Sequence, residues 1–343
     1  MFAIAALLGC ENDTPSGPAT PQDKAITFGN VTTRAVTSAA DINEFPVWAC
    51  IAGPEGYVSL LDGERVYRTT DGAWDYDNTR YWVDDSHFFF LGSYSDEAIG
   101  SFVENKFEGL ANIVYTLDVE TPSTADLDIV TAFNYVDTSD EIFKTALTDP
   151  DIAAPMVNMQ FGHLMTKVNL KVQQDFDKDP DFDYYVTKVT LTGVKNSGMY
   201  IFVPTEEQSP YYVSAWNFEK ATTTTFEKSF AEPCILRNTG AADRTVTISV
   251  WGNDGLLLIP QEIAANAVKI RVDYLYDITP GDGDPGTTSH FIEGYLPAST
   301  DLWQSGKSIN YTLKVAEQND ITFGVPTIEP WGAPQTGGTI IIK

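Results

Sequence analysis

The sequence predicts an all-β protein of the sandwich class, and three observations carry that prediction. Short runs of β-branched and aromatic residues recur along the chain, separated by Asp-Gly, Gly and Pro turn signals. No sustained 3.6-residue amphipathic pattern appears. Aromatic residues make up 12% of the chain and threonine is abundant, which suits many short strands and does not suit disorder.

The 343 residues are enough for two domains of ordinary size, each with its own core. The expected division is a signal peptide over 1–9, a lipidated tether over 10–24, a first β-sandwich over 25–150 and a second over 151–343. Forty-eight acidic residues against 21 basic ones give a net charge of −27. That argues against nucleic acid as a partner, because basic residues must neutralise phosphates there. It also argues against simple adsorption to anionic lipid. A soluble, self-repelling surface is what such a balance produces.

Residues 1–9 (MFAIAALLG) are apolar and precede Cys10. Leu7-Leu8-Gly9-Cys10 matches the bacterial lipobox, in which the cysteine thiol takes a diacylglycerol. The run is too short to span a bilayer, and its lack of a positive n-region points to a start further upstream. Acyl chains contribute roughly 0.8 kcal/mol per buried methylene, so multiple lipidation makes a stable anchor in outer-membrane lipid. Residues 14–24 (TPSGPATPQDK) have the composition of a flexible tether.

The stretch 25–36 (AITFGNVTTRAV) follows, and its Ile26-Thr27-Phe28-Gly29 recurs as Ile321-Thr322-Phe323-Gly324. Both copies are strand candidates. Two strands that look alike can compete for one groove, so the reading is a removable first strand whose substitute another molecule supplies. Val31 is out of step with Ile26 and Phe28, so the strand needs either a bulge near Gly29 or another partner for Val31. Arg34, followed by Ala35, offers a trypsin-like protease its arginine.

Strands are then expected over 45–52, 57–61 and 65–69, with turns at Asp62-Gly63 and Asp71-Gly72. The aromatics Trp74, Tyr76, Tyr81 and Trp82 come next, then strands over 88–91 and 127–133, and a polar stretch closes the first domain. The second is expected to open within 156–172, with 161–167 a short helix or irregular turn. Val168, Leu170 and Val172 alternate with polar residues as in a half-buried strand. Further strands are expected over 185–191, 198–203, 211–218, 244–251, 256–260, 268–276, 288–296 and 308–315.

Chemical motifs are sparse. Asp175, Asp177, Asp179, Asp181 and Asp183 alternate, which invites a calcium reading. The run lacks the glycine and distal glutamate of an EF-hand loop, and Pro180 interrupts it, so a solvated acidic loop is favoured. Residues 281–286 (GDGDPG) read as a turn. His87, His163 and His290 stand alone, with no partner at metal spacing. Cys50 and Cys234 lie in apolar runs and read as small buried hydrophobes rather than a bridge. There is no G-x-S-x-G elbow, phosphate loop, dinucleotide fingerprint or H-E-x-x-H. Nothing points to an enzyme, and no metal or cofactor is implied.

Taken together, Cys10, ITFGNVTTRA, 72–82 (GAWDYDNTRYW), 126–132 (DLDIVTA), 161–170 (FGHLMTKVNL), 256–261 (LLLIPQ), 303–313 (WQSGKSINYTL) and 328–331 resemble the fimbrillins, the type V pilins of Bacteroidales. Glu11-Asn12-Asp13 resembles the acidic tags of surface-exposed lipoproteins in that order. The resemblance implies two tandem transthyretin-like Greek-key β-sandwiches, exported as a lipoprotein to the outer membrane and cell surface and built into a fimbrium. It implies an arginine-specific protease cutting after Arg34, departure of the first strand with Ile26 and Phe28 leaving the groove, and a C-terminal donor from the next subunit, head to tail. Candidate donor residues are Ile321, Phe323, Val325, Ile340 and Ile342, and the 321–325 copy is either the donor or its own domain's last strand. Only GAPQTGGTIIIK follows Trp331, a short donor, which leaves shaft, tip and anchor positions open. The competing reading is a monomeric surface lipoprotein that binds a carbohydrate or host protein, with Trp74, Tyr76, Tyr81 and Trp82 stacking on sugars.

Overall fold

The computed structural model describes residues 24–33, 42–53, 56–95, 103–104, 111–116, 129–174, 183–204, 212–218, 221–236, 247–252, 255–277, 288–299, 303–315, 322–323 and 326–330. The chain is nearly all β. In order, its first half carries β1 (Phe28–Thr33), β2 (Glu44–Gly53), β3 (Gly56–Arg68), β4 (Trp74–Tyr76), β5 (His87–Ser95), β6 (Val103–Glu104), β7 (Ala111–Thr116), β8 (Ile129–Asp137), α1 (Glu141–Thr148) and β9 (Val157–His163). Its second half carries β10 (Thr166–Gln174), β11 (Asp183–Lys195), β12 (Ser197–Pro204), β13 (Tyr212–Asn217), β14 (Thr223–Leu236), β15 (Thr247–Ser249) and β16 (Leu256–Leu258). It ends with β17 (Lys269–Asp277), β18 (His290–Tyr295), β19 (Lys307–Val315), β20 (Thr322–Phe323) and β21 (Thr327–Pro330).

Seven strands of the first half form one sheet in the order β1-β9-β8-β5-β2-β3-β4. Its inner face, closed by α1, packs a core of Phe45, Val47, Val66, Phe88, Phe90, Val157, Met159 and Phe161, with Phe143 and Leu147 from the helix. The helix starts where Asp140 turns its carboxylate onto the Ile142 N–H at 2.9 Å, satisfying one orphan donor of the first turn. In the second half, a six-stranded sheet around β10 and β19 faces the four-stranded sheet β14-β11-β17-β18 across a second core. Alternation decides which side chains enter it: Ile309, Tyr311, Leu313 and Val315 of β19 are all buried. The fourth sheet, β13-β12-β7-β6, draws strands from both halves. A third cluster of Leu91, Ile129, Leu164, Met165, Leu257 and Ile259 also takes residues from both.

Several expectations change. Asp62-Gly63 is not a hairpin turn: β3 runs through it, and the register against β2 jumps from Glu64↔Val47 to Leu61↔Ala49. Gly63 has φ 70°, a left-handed conformation that serves a β-bulge as well as a turn. Asp71-Gly72 does turn, with Gly72 at φ 89° and its N–H on the Thr69 carbonyl at 2.9 Å. The stretch expected to open the second half is divided. Val157–His163 pairs in the first sheet, Thr166–Gln174 in the second, and Leu164 and Met165 connect them. The polar stretch after β8 contains α1, and β14 was not anticipated.

Candidate functional site

The first segment holds itself between two lips of the first half. At its start, the Ile26 N–H donates to the Arg80 carbonyl at 2.7 Å and the Trp82 N–H to the Lys24 carbonyl at 3.0 Å, an antiparallel bridge centred on Ala25 and Tyr81. The chain then changes partner. The Val157 N–H donates to the Thr27 carbonyl at 2.8 Å, and β1 runs parallel to β9 from Phe28↔Val157 to Thr33↔Phe161. Because β1 is one edge of the seven-stranded sheet and residues 80–82 follow the other edge strand, β4, this segment ties the two ends together.

Alternation places Ile26 and Phe28 inward, 1% and 4% exposed. Each contributes roughly 1.5–3 kcal/mol by leaving water. The Phe28 ring meets Phe45, Tyr76 and Phe90 edge-on, at centroid separations of 6.4, 5.6 and 6.2 Å. The Tyr76 hydroxyl accepts from the Arg80 N–H at 2.9 Å and donates to the Ile26 carbonyl at 3.0 Å, so it bonds to one lip and to the strand. Burial pushes its pKa above the ordinary tyrosine value.

The expected bulge is present: the register shifts between Phe28 and Val31. There the Asn30 N–H donates to Asn158 Oδ1 at 2.9 Å, while Asn134 Nδ2 fixes the Asn158 carbonyl at 2.6 Å. Gly29 has no spare room. A Cβ on it would lie 2.7 Å from Asn158 Oδ1 and 2.9 Å from the Met156 Cβ.

A polar latch completes the site. Lys24 Nζ donates to the carbonyls of Ala146 at 2.5 Å and Asp149 at 2.7 Å, and also to that of Ile152. These oxygens lie at and beyond the C-terminal end of α1, where the helix dipole is negative and the last turn holds no basic residue. Lys24 supplies that cation from outside the helix. In the sequence alone, Lys24 is the end of the tether.

The sheet geometry agrees with comparison to known proteins. A sequence model of the Fimbrillin-like family matches residues 33–331. The chain belongs to that family. A fimbrial protein from Bacteroides vulgatus is 17% identical over 90% of this chain and 100% of its own, with a TM-score of 0.51. The tip fimbrial protein Mfa3 from Porphyromonas gingivalis is 10% identical, also over 90% of this chain and 100% of its own, at a TM-score of 0.39. No curated protein sequence matches the chain. Family membership makes this fimbrillin-like protein a non-enzymatic component of the cell-surface fimbrium that associates with other fimbrial subunits.

Of the residues singled out in this fimbrillin-like sequence, Ile26 and Phe28 lie together in the first core. Phe323 is opposite Leu313 in β20, a strand of the second half's sheet. Cys10, Arg34, Ala35, Ile321, Val325, Ile340 and Ile342 lie outside the described residues, as do residues 175–182 and 281–286. Tyr76 and Trp82 are buried, Trp74 packs against the same core and only Tyr81 is exposed, so the proposed sugar platform is mostly core. Cys50 and Cys234 are free thiols, and burial pushes Cys50 up to about 12. Among the described residues, no group of three or more His, Cys, Asp or Glu side chains is arranged to hold a metal.

Proposed function

We propose that the chain is a structural subunit of a cell-surface fimbria. In this reading it is exported as a lipoprotein through Cys10 to the outer membrane. An arginine-specific protease cuts after Arg34, and subunits assemble head to tail by donor-strand exchange. The observation that supports it is the seating of residues 24–29: an edge segment, hydrogen-bonded on two lips, whose Ile26 and Phe28 fill core seats without belonging to a central strand. Such a segment can leave a groove with both main-chain partners and apolar seats ready for another strand. Because Thr322–Phe323 already pairs with β19, this reading takes the donor from the terminal run 340–342, which holds the candidates Ile340 and Ile342.

Limited trypsin digestion tests the reading. The uncleaved chain and an Arg34→Ala variant should remain monomeric, whereas the product beginning at Ala35 should form linear oligomers visible by electron microscopy. A cleaved chain that stays monomeric would favour the tip-type or ligand-binding adhesin instead.

A further inference from the structure

Departure of residues 24–34 would empty a polar seat as well as two apolar ones. The Ala146, Asp149 and Ile152 carbonyls converge on a single ammonium, and three acceptors match its three donors. Resting on the strand-exchange reading, we propose that this carbonyl triad is an ammonium site that passes from Lys24 to Lys343 of a second copy. The donor, residues 338–343, then lies in the groove in the reverse direction to the segment it replaces.

The match is in the order of residue types. Forward from the latch, the resident segment reads Lys24-Ala25-Ile26-Thr27-Phe28-Gly29; backward from Lys343, the donor reads Lys343-Ile342-Ile341-Ile340-Thr339-Gly338. A cation meets the triad, Ile341 comes level with Ile26, and Gly338 comes level with Gly29, where a Cβ would meet Asn158 and Met156. The forward direction fails on the same points. With Ile340 and Ile342 in the seats of Ile26 and Phe28, Lys343 falls on the Gly29 position and Gly338 faces the triad without a charge.

Strand pairing favours the same direction. The resident β1 is parallel to β9. A reversed donor pairs antiparallel along that longer lip, and the antiparallel ladder is the more stable per residue. The exchange sacrifices antiparallel geometry only at the single Ala25–Tyr81 bridge. Thr339 replaces Phe28 among Phe45, Tyr76 and Phe90, so this seat is underfilled.

Cysteine pairs in the full-length, Arg34-cleaved chain test the direction, because Tyr81 is 47% exposed and bridges Ala25. The Ile342→Cys/Tyr81→Cys pair should oxidise to an intersubunit disulfide, and the Thr339→Cys/Tyr81→Cys pair should not. Lys343→Met should slow assembly about tenfold, the scale of a lost hydrogen-bonded charge. Thr339→Phe should speed assembly by filling the seat, whereas in the forward direction it would lie level with the half-buried Ala25 and change little. Cross-linking through position 339 instead of 342, or wild-type assembly by Lys343→Met, overturns the inference while leaving strand exchange standing. An unmodified cleaved chain that never assembles overturns both.

Discussion

Replacing Phe28 with alanine probes whether the first segment opens on its own. Phe28 is 4% exposed and touches three aromatic rings edge-on, so truncation leaves a cavity lined by Phe45, Tyr76 and Phe90. Core Phe→Ala changes cost about 3–5 kcal/mol. If the segment detaches as a unit, that whole cost falls on its local equilibrium, and 1.36 kcal/mol per decade makes the opening constant larger by about 2–4 decades. Native-state amide exchange reads this directly. The Val157 N–H is bonded to Thr27 of the segment, whereas the Leu164 N–H is bonded to Ile129 on the far side of β9. In Phe28→Ala, Val157 should exchange about 2–4 decades faster while Leu164 keeps its rate. Equal acceleration at both amides would mean that the segment opens only with the whole half. No acceleration at Val157 would mean that Phe28 does not anchor it. Either result refutes the separable-segment argument.

Three further outcomes follow from the same site. Lys24→Met removes the cation from the α1 carbonyls and should speed Val157 exchange by about tenfold, since hydrogen bonds to charged groups contribute about 1.5–3 kcal/mol. Gly29→Ala should destabilise the segment by about 1–3 kcal/mol through overpacking against Asn158 and Met156, measured by the same exchange. Burial raises the Tyr311 pKa to about 12, the largest influence on it, against the ordinary 10.0. The folded state therefore holds this proton longer than the unfolded one, so stability is full below pH 10 and falls as pH rises from 10 to about 12. Chemical denaturation across that range should show a smaller loss in Tyr311→Phe.

The fold was legible where alternation was strong. Val168, Leu170 and Val172 of β10 alternate in sequence and are all buried, and of the two ways to reconcile Val31 with Ile26 and Phe28 the structure takes the bulge. Legibility failed where the signal was local and ambiguous. Gly63 fits a turn and a bulge equally well. The helix α1 has eight residues, too few for a periodic pattern, and its capping Asp140 is hidden in an acidic stretch. Among the buried hydrophobic residues, β14 contributes only Phe226 and Leu236, as befits an edge strand with one neighbour, so its 14 residues look polar. The Lys24 latch spans 122 residues to Ala146, and no window along the chain contains both partners.

The location of the first segment also limits what its removal disturbs. Among the described residues, its apolar side chains enter only the first core, and the second core contains no residue before Val168. The halves are joined by the β7–β12 ladder and the Leu91–Leu257 cluster, which the segment does not enter. In the proposed exchange, one edge of the subunit is therefore remade while its internal joint stays as it was. The energetic demand is nonetheless large. Vacating the Ile26 and Phe28 seats forfeits roughly 3–6 kcal/mol of apolar burial, before the hydrogen bonds of two lips and the latch are counted. Set against about 5–15 kcal/mol for the stability of a whole domain, that loss leaves a stripped first half marginal. A subunit without either strand is then a poor resting state, and exchange should proceed with the donor already engaging one lip as the resident segment leaves the other.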